Sequence, residues 1–232
     1  MVDHKLAGID SATNGRNVLN YSIMQAPISI PTRIKKLYLG TNNRKKIGEL
    51  VNLLEPRGFE IKVPADFHDV FDVDETGTTF FENARLKAIS QARHRGLWAI
   101  GEDSGLCVPA LEGRPGIYSA RFSGPGATDP SNNALLLTEM ASLPMEKRQA
   151  YYVSTIVLAD PDGQIHIETQ GECWGRILLE QRGVGGFGYD PLFEIAEYHQ
   201  TFAEMGLGVK RAISHRARAL RAFLNRLDEM NT

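Results

Sequence analysis

The chain has 232 residues, of which 42% are hydrophobic and 23% are charged, and its formal net charge is −2. These proportions are typical of a globular protein and exclude a disordered or collagen-like chain. Because basic residues are not in surplus, strong non-specific binding to a nucleic-acid polymer is not expected.

The compartment and the domain boundaries follow from a few further features. Two cysteines are too few for a disulfide framework, and no apolar run approaches the ~20 residues that a membrane helix needs. We therefore predict a cytoplasmic protein that has no membrane partner. Residues 1–33 have no clear hydrophobic period and no targeting signal, so we predict a loosely ordered leader there and a single domain over residues 34–232.

The first half of the domain alternates between strand and helix patterns. In chain order the predicted elements are a strand at Leu37–Leu39, a helix at Ile47–Leu54, a strand at Phe59–Val63, a helix at Phe81–Ala92 and a strand at Leu97–Ile100. Gly58 and Gly96 are the expected ends of the two helices, and Thr79 and Glu82 have the spacing of a capping box. The order β-α-β-α-β predicts an α/β fold.

The second half predicts an antiparallel addition to the sheet. In chain order it contains an irregular stretch at Pro109–Pro130, a helix at Asn132–Ser142, strands at Tyr151–Ala159 and Gln164–Glu172, a glycine-rich loop at Gly183–Phe193 and an amphipathic helix at Ile213–Leu227. The turn signal Asp160–Gly163 joins the two strands into a hairpin. We therefore predict a mixed sheet.

A first candidate site lies at Thr41–Glu49, where a strand feeds a helix. Small polar side chains and the unpaired backbone N–H groups of a helix N-terminus bind phosphate, and Lys46 would add positive charge. The alternative is that Thr41 or Asn43 only caps the helix and the basic residues form a solvated face. These residues alone leave both interpretations open.

Glu102 and Asp103 form a second candidate site. They follow a buried strand, which we expect to break in a sharp turn at Gly101–Gly105. Two adjacent carboxylates repel each other unless a cation or a raised pKa relieves the conflict, and Mg²⁺ is the natural partner beside a phosphate. The alternative is a turn in which Asp103 caps the following backbone.

Asp74 and Glu75 precede the predicted start of a helix. They would supply a further carboxylate to a metal site, or they would only complement the helix dipole.

Two further segments predict contacts with a nucleotide. Phe187 lies between glycines in the loop Gly185–Pro191 and would offer its ring to a nucleobase, unless it only fills the core. In Lys210–Arg216 the cations at the start of a helix oppose the helix dipole. An anionic ligand would resolve that conflict, while Arg218 and Arg221 further along the helix are interpreted as serving surface solubility.

Together these motifs resemble the inosine triphosphate pyrophosphatase family from Lys36 to Leu227. The family's motifs occur in order as T-x-N-x-x-K-x-x-E at Thr41–Glu49, E-T-G and F-x-E-N-A within Glu75–Ala84, D-S-G-L at Asp103–Leu106, P-G-I-Y-S-A-R at Pro115–Arg121, G-G-F-G-Y-D-P at Gly185–Pro191 and S-H-R at Ser214–Arg216. The resemblance implies an elongated α/β structure of two lobes around a twisted mixed sheet, with a central active-site cleft, and a homodimer.

The resemblance also implies an activity, namely Mg²⁺-dependent hydrolysis of ITP, dITP and XTP to the monophosphate and pyrophosphate. It assigns the general base and a metal ligand to Asp103, and the second acidic metal position to Asp74 or Glu75. The substrate contacts that it implies are Thr41, Asn43, Lys46, Lys87, Ser104, Phe187, Gly188, Tyr189, Asp190, Lys210, His215 and Arg216.

Two departures from the family pattern leave the metal ligands open. The pairs Glu102-Asp103 and Asp74-Glu75 stand where the family often has Asp-Asp and Glu-Glu, so the sequence does not decide which carboxylate of each pair holds Mg²⁺. Two other functions are also open. One is a septum-inhibitor-like nucleotide pyrophosphatase with another base preference, and the other is a non-catalytic nucleotide-binding module.

Overall fold

A seven-stranded mixed β-sheet organises the residues that the computed structural model describes, 34–69 and 71–230. The predicted leader lies outside the described residues. The strands are Lys36–Leu39 (β1), Glu60–Lys62 (β2), Trp98–Cys107 (β3), Gln149–Ala159 (β4), Ile165–Ile177 (β5), Phe193–Ile195 (β6) and Gln200–Thr201 (β7). Their order is β2-β1-β3-β4-β5-β6-β7. β1 is parallel to β2 and β3, and the other neighbours are antiparallel, which confirms the predicted mixed α/β class.

Five α-helices of the described residues accompany this sheet. They are Arg44–Leu54 (α1), Phe80–Arg95 (α2), Asp129–Glu139 (α3), Leu207–Ile213 (α4) and His215–Met230 (α5). None of the helices in the described part of the chain is long and apolar enough to cross a membrane.

α1 and α5 cover one face of the sheet, and α2 covers the other. Leu37, Leu39 and Ile100 pack in a cluster with leucines of α1 and α5. Their strand neighbours Tyr38 and Ala99 point the opposite way and pack with the alanines of α2. This division follows from the two-residue period of a strand, and it confirms the predicted apolar faces of all three helices.

α2 lies close to the sheet because its sequence removes bulk at the contact. Ala84, Ala88 and Ala92 are fully buried, and a Cβ atom on Gly101 of β3 would stand 2.2 Å from the Ala84 carbonyl oxygen. The capping box is present, with Thr79 Oγ1 accepting from the Glu82 N–H at 3.1 Å. The helix ends at Gly96, whose φ is 61°, a conformation that favours glycine.

The expected turn at Gly101–Gly105 is wrong, because β3 continues through these residues. β4 pairs with β3 without interruption from Ala99 opposite Ala159 to Cys107 opposite Tyr151. The glycines serve packing instead: a Cβ atom on Gly105 would stand 2.4 Å from the Gly116 carbonyl oxygen. Thus Glu102 and Asp103 lie inside a strand.

The other predictions for the second half are confirmed with shifted boundaries. The hairpin is β4 and β5. α3 begins at Asp129 rather than Asn132, because Thr128 caps it and Pro130 fits its first turn. Ser214 caps α5 by accepting from the Ala217 N–H at 3.3 Å. Lys210 lies in the separate short helix α4, which was not predicted.

A buried arginine ties the end of α3 to the chain that leaves β5. Arg148 is 1% exposed. Its guanidinium donates to the carbonyl oxygens of Ile177 at 2.8 Å, Met140 at 2.6 Å and Leu178 at 2.9 Å. Burial lowers the pKa of Arg148, and these three acceptors compensate the desolvation of the guanidinium.

We predict that Arg148→Met lowers the free energy of unfolding by at least ~3 kcal/mol, because each buried carbonyl oxygen that loses its donor costs about 1–3 kcal/mol. Urea denaturation measures the change. The matched control is Lys147→Met at the exposed neighbouring residue, which should stay within ~0.5 kcal/mol of the wild type. Equal stability of the two variants would contradict this role of Arg148.

Candidate active site

A cleft of about 470 Å³ opens at the edge of β3 beyond the end of β1. The last pair between these strands is Leu39 with Ile100, after which the chain turns at Gly40 toward α1 and leaves the edge of β3 uncovered. The predicted site residues that line the cleft are Thr41, Asn43, Lys46, Glu75, Lys87, Asp103, Ser104, Phe187, Gly188, Tyr189, Asp190, Lys210, His215 and Arg216. Asp74 is exposed and is not among the described residues that line it.

The pleat of β3 sends the Glu102 and Asp103 carboxylates to opposite faces of the sheet. Glu102 faces α1 and α5, where it contacts Lys46 and Arg216. Asp103 faces α2, where it contacts Lys87. The expected repulsion at one shared site is therefore wrong, since each carboxylate has its own cation.

Glu102 is a buried anion with three partners. It accepts from Arg216 Nε at 2.9 Å and from Ser154 Oγ at 3.0 Å, and Lys46 Nζ lies 3.1 Å from its second oxygen. Burial alone would raise the pKa of Glu102, but Arg216 and Lys46 outweigh it and hold the pKa well below its usual range. Glu102 is thus ionised: Oε1 accepts both hydrogen bonds, and Oε2 has only the ion pair with Lys46 among the described residues.

Arg216 links three elements at the bottom of the cleft. Besides Glu102 on β3, it donates to Glu49 Oε2 on α1 at 2.9 Å and to Ser104 Oγ at 3.4 Å. Burial lowers the pKa of Arg216, but the carboxylates of Glu102 and Glu49 outweigh burial and raise it. The predicted conflict of this cation with the dipole of α5 is therefore resolved by carboxylates of the protein itself.

Asp103 has a different environment. Lys87 Nζ lies 2.9 Å from Asp103 Oδ1 and 2.9 Å from Glu75 Oε1, and Asn83 Nδ2 donates to Asp103 Oδ2 at 3.3 Å. Burial raises the pKa of Asp103, and the lowering by Lys87 only partly offsets it. Burial also disfavours the charged form of Lys87, yet the two carboxylates raise the pKa of Lys87.

Two carboxylates therefore converge on one position, which Lys87 Nζ holds. The described residues contain no group of three or more His, Cys, Asp or Glu side chains that could hold a metal ion. Mg²⁺ typically takes one or two carboxylates and completes its shell with water and phosphate oxygens. Glu75 and Asp103 fit that requirement, and Asp74 does not, because it is exposed and is not among the described residues that line the cleft.

The start of α1 shows that the two interpretations of its motif are compatible. Asn43 caps the helix, since its Oδ1 accepts from the Lys46 N–H at 3.3 Å, and Thr41 Oγ1 accepts from the Asn43 N–H at 3.2 Å. Both residues nevertheless line the cleft. The N-terminus of α1 thus borders the cleft.

The glycine-rich loop presents Phe187 at the cleft. Gly186 has a φ of 75°, and a Cβ atom there would stand 2.0 Å from Asp190 Oδ2. Asp190 accepts from the Phe187 N–H at 2.8 Å and pairs with Lys210, whose Nζ lies 5.1 Å from the centre of the Phe187 ring. The loop is built around Asp190, and burial raises the pKa of this residue although Lys210 lowers it.

α3 fixes the same loop from outside. Gly188 donates to Asp129 Oδ2 at 2.7 Å, and Asn133 Nδ2 donates to the Gly188 carbonyl oxygen at 3.0 Å. Tyr189 is buried and donates its hydroxyl to the Ser119 carbonyl oxygen at 2.8 Å. The Tyr189 hydroxyl thus ties the loop to the backbone at Ser119.

His215 is a buried neutral imidazole. Burial lowers its pKa far below 6.5, and Arg216 lowers it further. Its ring stacks on Tyr152, with 4.8 Å between the ring centres. Nδ1 has no hydrogen-bond partner among the described residues. A polar atom of this kind in a cleft is available to a ligand.

Some residues of the cleft received no role from the sequence. Arg121, Asp129 and Tyr152 line it, and Glu49 holds Arg216 from behind. Arg121 and Glu49 lie within recognised motifs, so the sequence could have indicated a role for them. Nothing in the sequence indicates a role for Tyr152 or Asp129, because their surroundings have the patterns of an ordinary strand and an ordinary helix start.

The sequence matches a known protein family. The sequence profile of the Ham1 family matches residues 37–226. A protein of Rhodopirellula baltica named dITP/XTP pyrophosphatase is 47% identical over 195 residues, which are 84% of this chain and 94% of that protein. A protein of Geobacter sulfurreducens with the same name is 47% identical over 185 residues, which are 80% of this chain and 92% of that protein.

Solved structures agree with the sequence comparison. A HAM1 protein from Coxiella burnetii is 34% identical with a TM-score of 0.79, over 84% of this chain and 100% of that one. A nucleoside-triphosphatase / dITP/XTP pyrophosphatase from Mycobacterium abscessus is 39% identical with a TM-score of 0.70, over 83% and 99% of the two chains.

The neutral burial of His215 predicts a loss of stability in mild acid. The unfolded chain binds a proton below about pH 6.5 and the folded chain does not, so stability falls as the pH falls through that value. From pH 7.5 to pH 5.5, the free energy of unfolding of the wild type should decrease by about 1.4 kcal/mol more than that of His215→Gln. Urea denaturation at both pH values measures this difference.

The control for this prediction is His68→Gln, at an exposed histidine, which should keep the pH dependence of the wild type. A His215→Gln variant with the pH dependence of the wild type would contradict the neutral burial.

Proposed function

Because this chain belongs to the Ham1 family, we propose that it is a nucleoside triphosphate pyrophosphatase acting on deaminated purine nucleotides. It hydrolyses ITP, dITP and XTP to the monophosphate and pyrophosphate, and so removes these nucleotides from the pool. The observation that carries this proposal is the convergence of Glu75 and Asp103 on Lys87 in a cleft that also holds a helix N-terminus and an aromatic ring.

The charges of the cleft support a need for Mg²⁺. Its lining includes five lysines and arginines and six aspartates and glutamates among the described residues. Such a lining does not neutralise a triphosphate, whose terminal groups carry several negative charges. We propose that Glu75 and Asp103 hold Mg²⁺, which offsets phosphate charge and makes the phosphorus more electrophilic when it is bound.

Asp103 is the proposed general base. Its buried carboxylate has a raised pKa, which makes it a better proton acceptor than an exposed aspartate. It orients a water molecule for in-line attack on the α-phosphorus and takes a proton from it, and pyrophosphate leaves. Lys87 moves from its place between the two carboxylates to offset the charge of the phosphates. Ser104 lies beside this reaction on β3.

The phosphates are proposed to lie at the N-terminus of α1. Thr41 and Asn43 offer polar groups there, and the backbone N–H groups of the first turn favour anions. Lys46, which is 16% exposed at its side chain and paired with Glu102, adds positive charge at the same end.

The base is proposed to lie against Phe187. The neutral His215 presents a ring nitrogen that can donate to the 6-keto oxygen of hypoxanthine or xanthine, with Arg216 beside it, while Lys210 and Asp190 fix the loop around Gly188 and Tyr189. The 6-amino group of adenine leaves such a donor unpaired. That mismatch costs about 1–3 kcal/mol, which gives roughly tenfold to hundredfold rejection of ATP.

We propose a homodimer in the cytoplasm as the setting of this activity. Both cysteines are buried and free, as in a reducing compartment. Trp174 is 51% exposed and stacks on Tyr151 of the neighbouring strand, with 4.4 Å between ring centres. Exposed aromatic pairs are typical of protein interfaces.

The direct test is pyrophosphate release with Mg²⁺ from ITP, XTP, GTP and ATP. We expect release from ITP and XTP at least ~10-fold faster than from ATP, and a loss of about 100-fold or more in kcat for Asp103→Asn, because the general base is removed. Asp162→Asn in the exposed β4–β5 turn is the control and should match the wild type.

The remaining outcomes separate the other candidate functions. Release mainly from other bases would favour the septum-inhibitor-like activity. No release from any of the four, with ITP still bound by the wild type, would leave only a nucleotide-binding module.

A further inference from the structure

Arg121 has the longest ion pair among the described cations that line the cleft. Its side chain is 46% exposed, and Nη1 lies 3.7 Å from Glu75 Oε2. Other cations of the cleft are closer to their carboxylates: Lys46 is 3.1 Å from Glu102, Lys87 is 2.9 Å from Asp103, and Arg216 is 2.9 Å from Glu102. A weakly paired, half-exposed guanidinium is therefore present at the mouth of the cleft.

The backbone beneath Arg121 is fixed. Arg121 ends the short helix Gly116–Arg121, which packs against Gly105 of β3. Within this helix, Ser119 Oγ accepts from the Leu106 N–H at 2.8 Å, and the Ala120 carbonyl oxygen accepts from Asn132 Nδ2 at 3.2 Å. The guanidinium is thus carried on a rigid base, so a ligand would not have to order the backbone around it.

Arg121 and the reacting carboxylate stand at opposite ends of a row of charges. Asp103 contacts Lys87, Lys87 contacts Glu75, and Glu75 contacts Arg121. Lys87 and Arg121 approach different oxygens of Glu75. A cation held by Glu75 and Asp103 would compete with Arg121 for Glu75. The guanidinium, which also lies 5.2 Å from the centre of the Tyr118 ring, would then be available to another anion.

We propose that Arg121 binds the terminal phosphates of the substrate, the part that leaves as pyrophosphate. This inference rests on the proposed function. The terminal phosphates carry the highest charge of the nucleotide and lie furthest from the base, which fits an exposed cation at the end of the row away from Asp103. The planar guanidinium donates two parallel hydrogen bonds to phosphate oxygens, which a lysine does not.

The test measures the binding of pyrophosphate and of IMP to the full chain with Mg²⁺ by calorimetry, and their inhibition of ITP hydrolysis. Arg121→Gln should weaken pyrophosphate binding about tenfold, since it removes a charge-assisted bidentate contact. IMP binding should change by less than about twofold, because IMP lacks the leaving phosphates. The pyrophosphate affinity of Arg121→Lys should lie between those of the wild type and Arg121→Gln. This second variant also guards against misfolding of the glutamine variant.

The matched control is Arg114→Gln, at an exposed arginine that pairs with Glu139 and is not among the described residues that line the cleft. Pyrophosphate binding by Arg121→Gln equal to that of this control would overturn the proposal. An equal loss of IMP and pyrophosphate binding would overturn it too.

Failure of the proposed function has a separate signature. A wild type that releases no pyrophosphate from ITP sinks that function, while the calorimetry still decides whether Arg121 binds pyrophosphate. A wild type that binds no pyrophosphate overturns the assignment of Arg121.

Discussion

The two-residue period of β3 divides adjacent carboxylates between two environments, and the site depends on this division. Glu102 lies among Arg216, Lys46 and Ser154 under α1 and α5, where its pKa is held well below the usual range. Asp103, one residue further, lies under α2, where burial raises its pKa. A single strand thus provides one carboxylate that organises the cations of the cleft and one whose raised pKa fits the proposed general base.

This division requires β3 to be uncovered on one side and firmly paired on the other. β1 stops opposite Ile100, which opens the edge at the two carboxylates, and β4 pairs with β3 as far as Cys107. The small residues at Gly101 and Gly105 let α2 and the helix Gly116–Arg121 approach the same stretch. The elements that bring Lys87 and Arg121 to the cleft therefore pack against the strand that carries the carboxylates.

Much of this arrangement follows from the sequence, and the exceptions have physical reasons. Helical spacing and capping residues predict α1, α2 and α5, and the recognised motifs contain most of the polar residues that line the cleft. The course of β3 was not predictable, because G-E-D-S-G is also turn chemistry and only pairing with β4 decides against a turn. The ion pairs of Arg216 were not predictable either, because Glu49 and Glu102 are distant from each other in sequence and come together only in the folded chain.

The most direct test of the divided roles compares Glu102→Gln with Asp103→Asn in the same two measurements, thermal unfolding and kcat for ITP. We predict that Glu102→Gln lowers the free energy of unfolding by about 3 kcal/mol, because it leaves a buried arginine underpaired. Asp103→Asn should unfold within ~1 kcal/mol of the wild type and yet lose about 100-fold or more in kcat. Equal effects of the two substitutions on both stability and turnover would contradict the account.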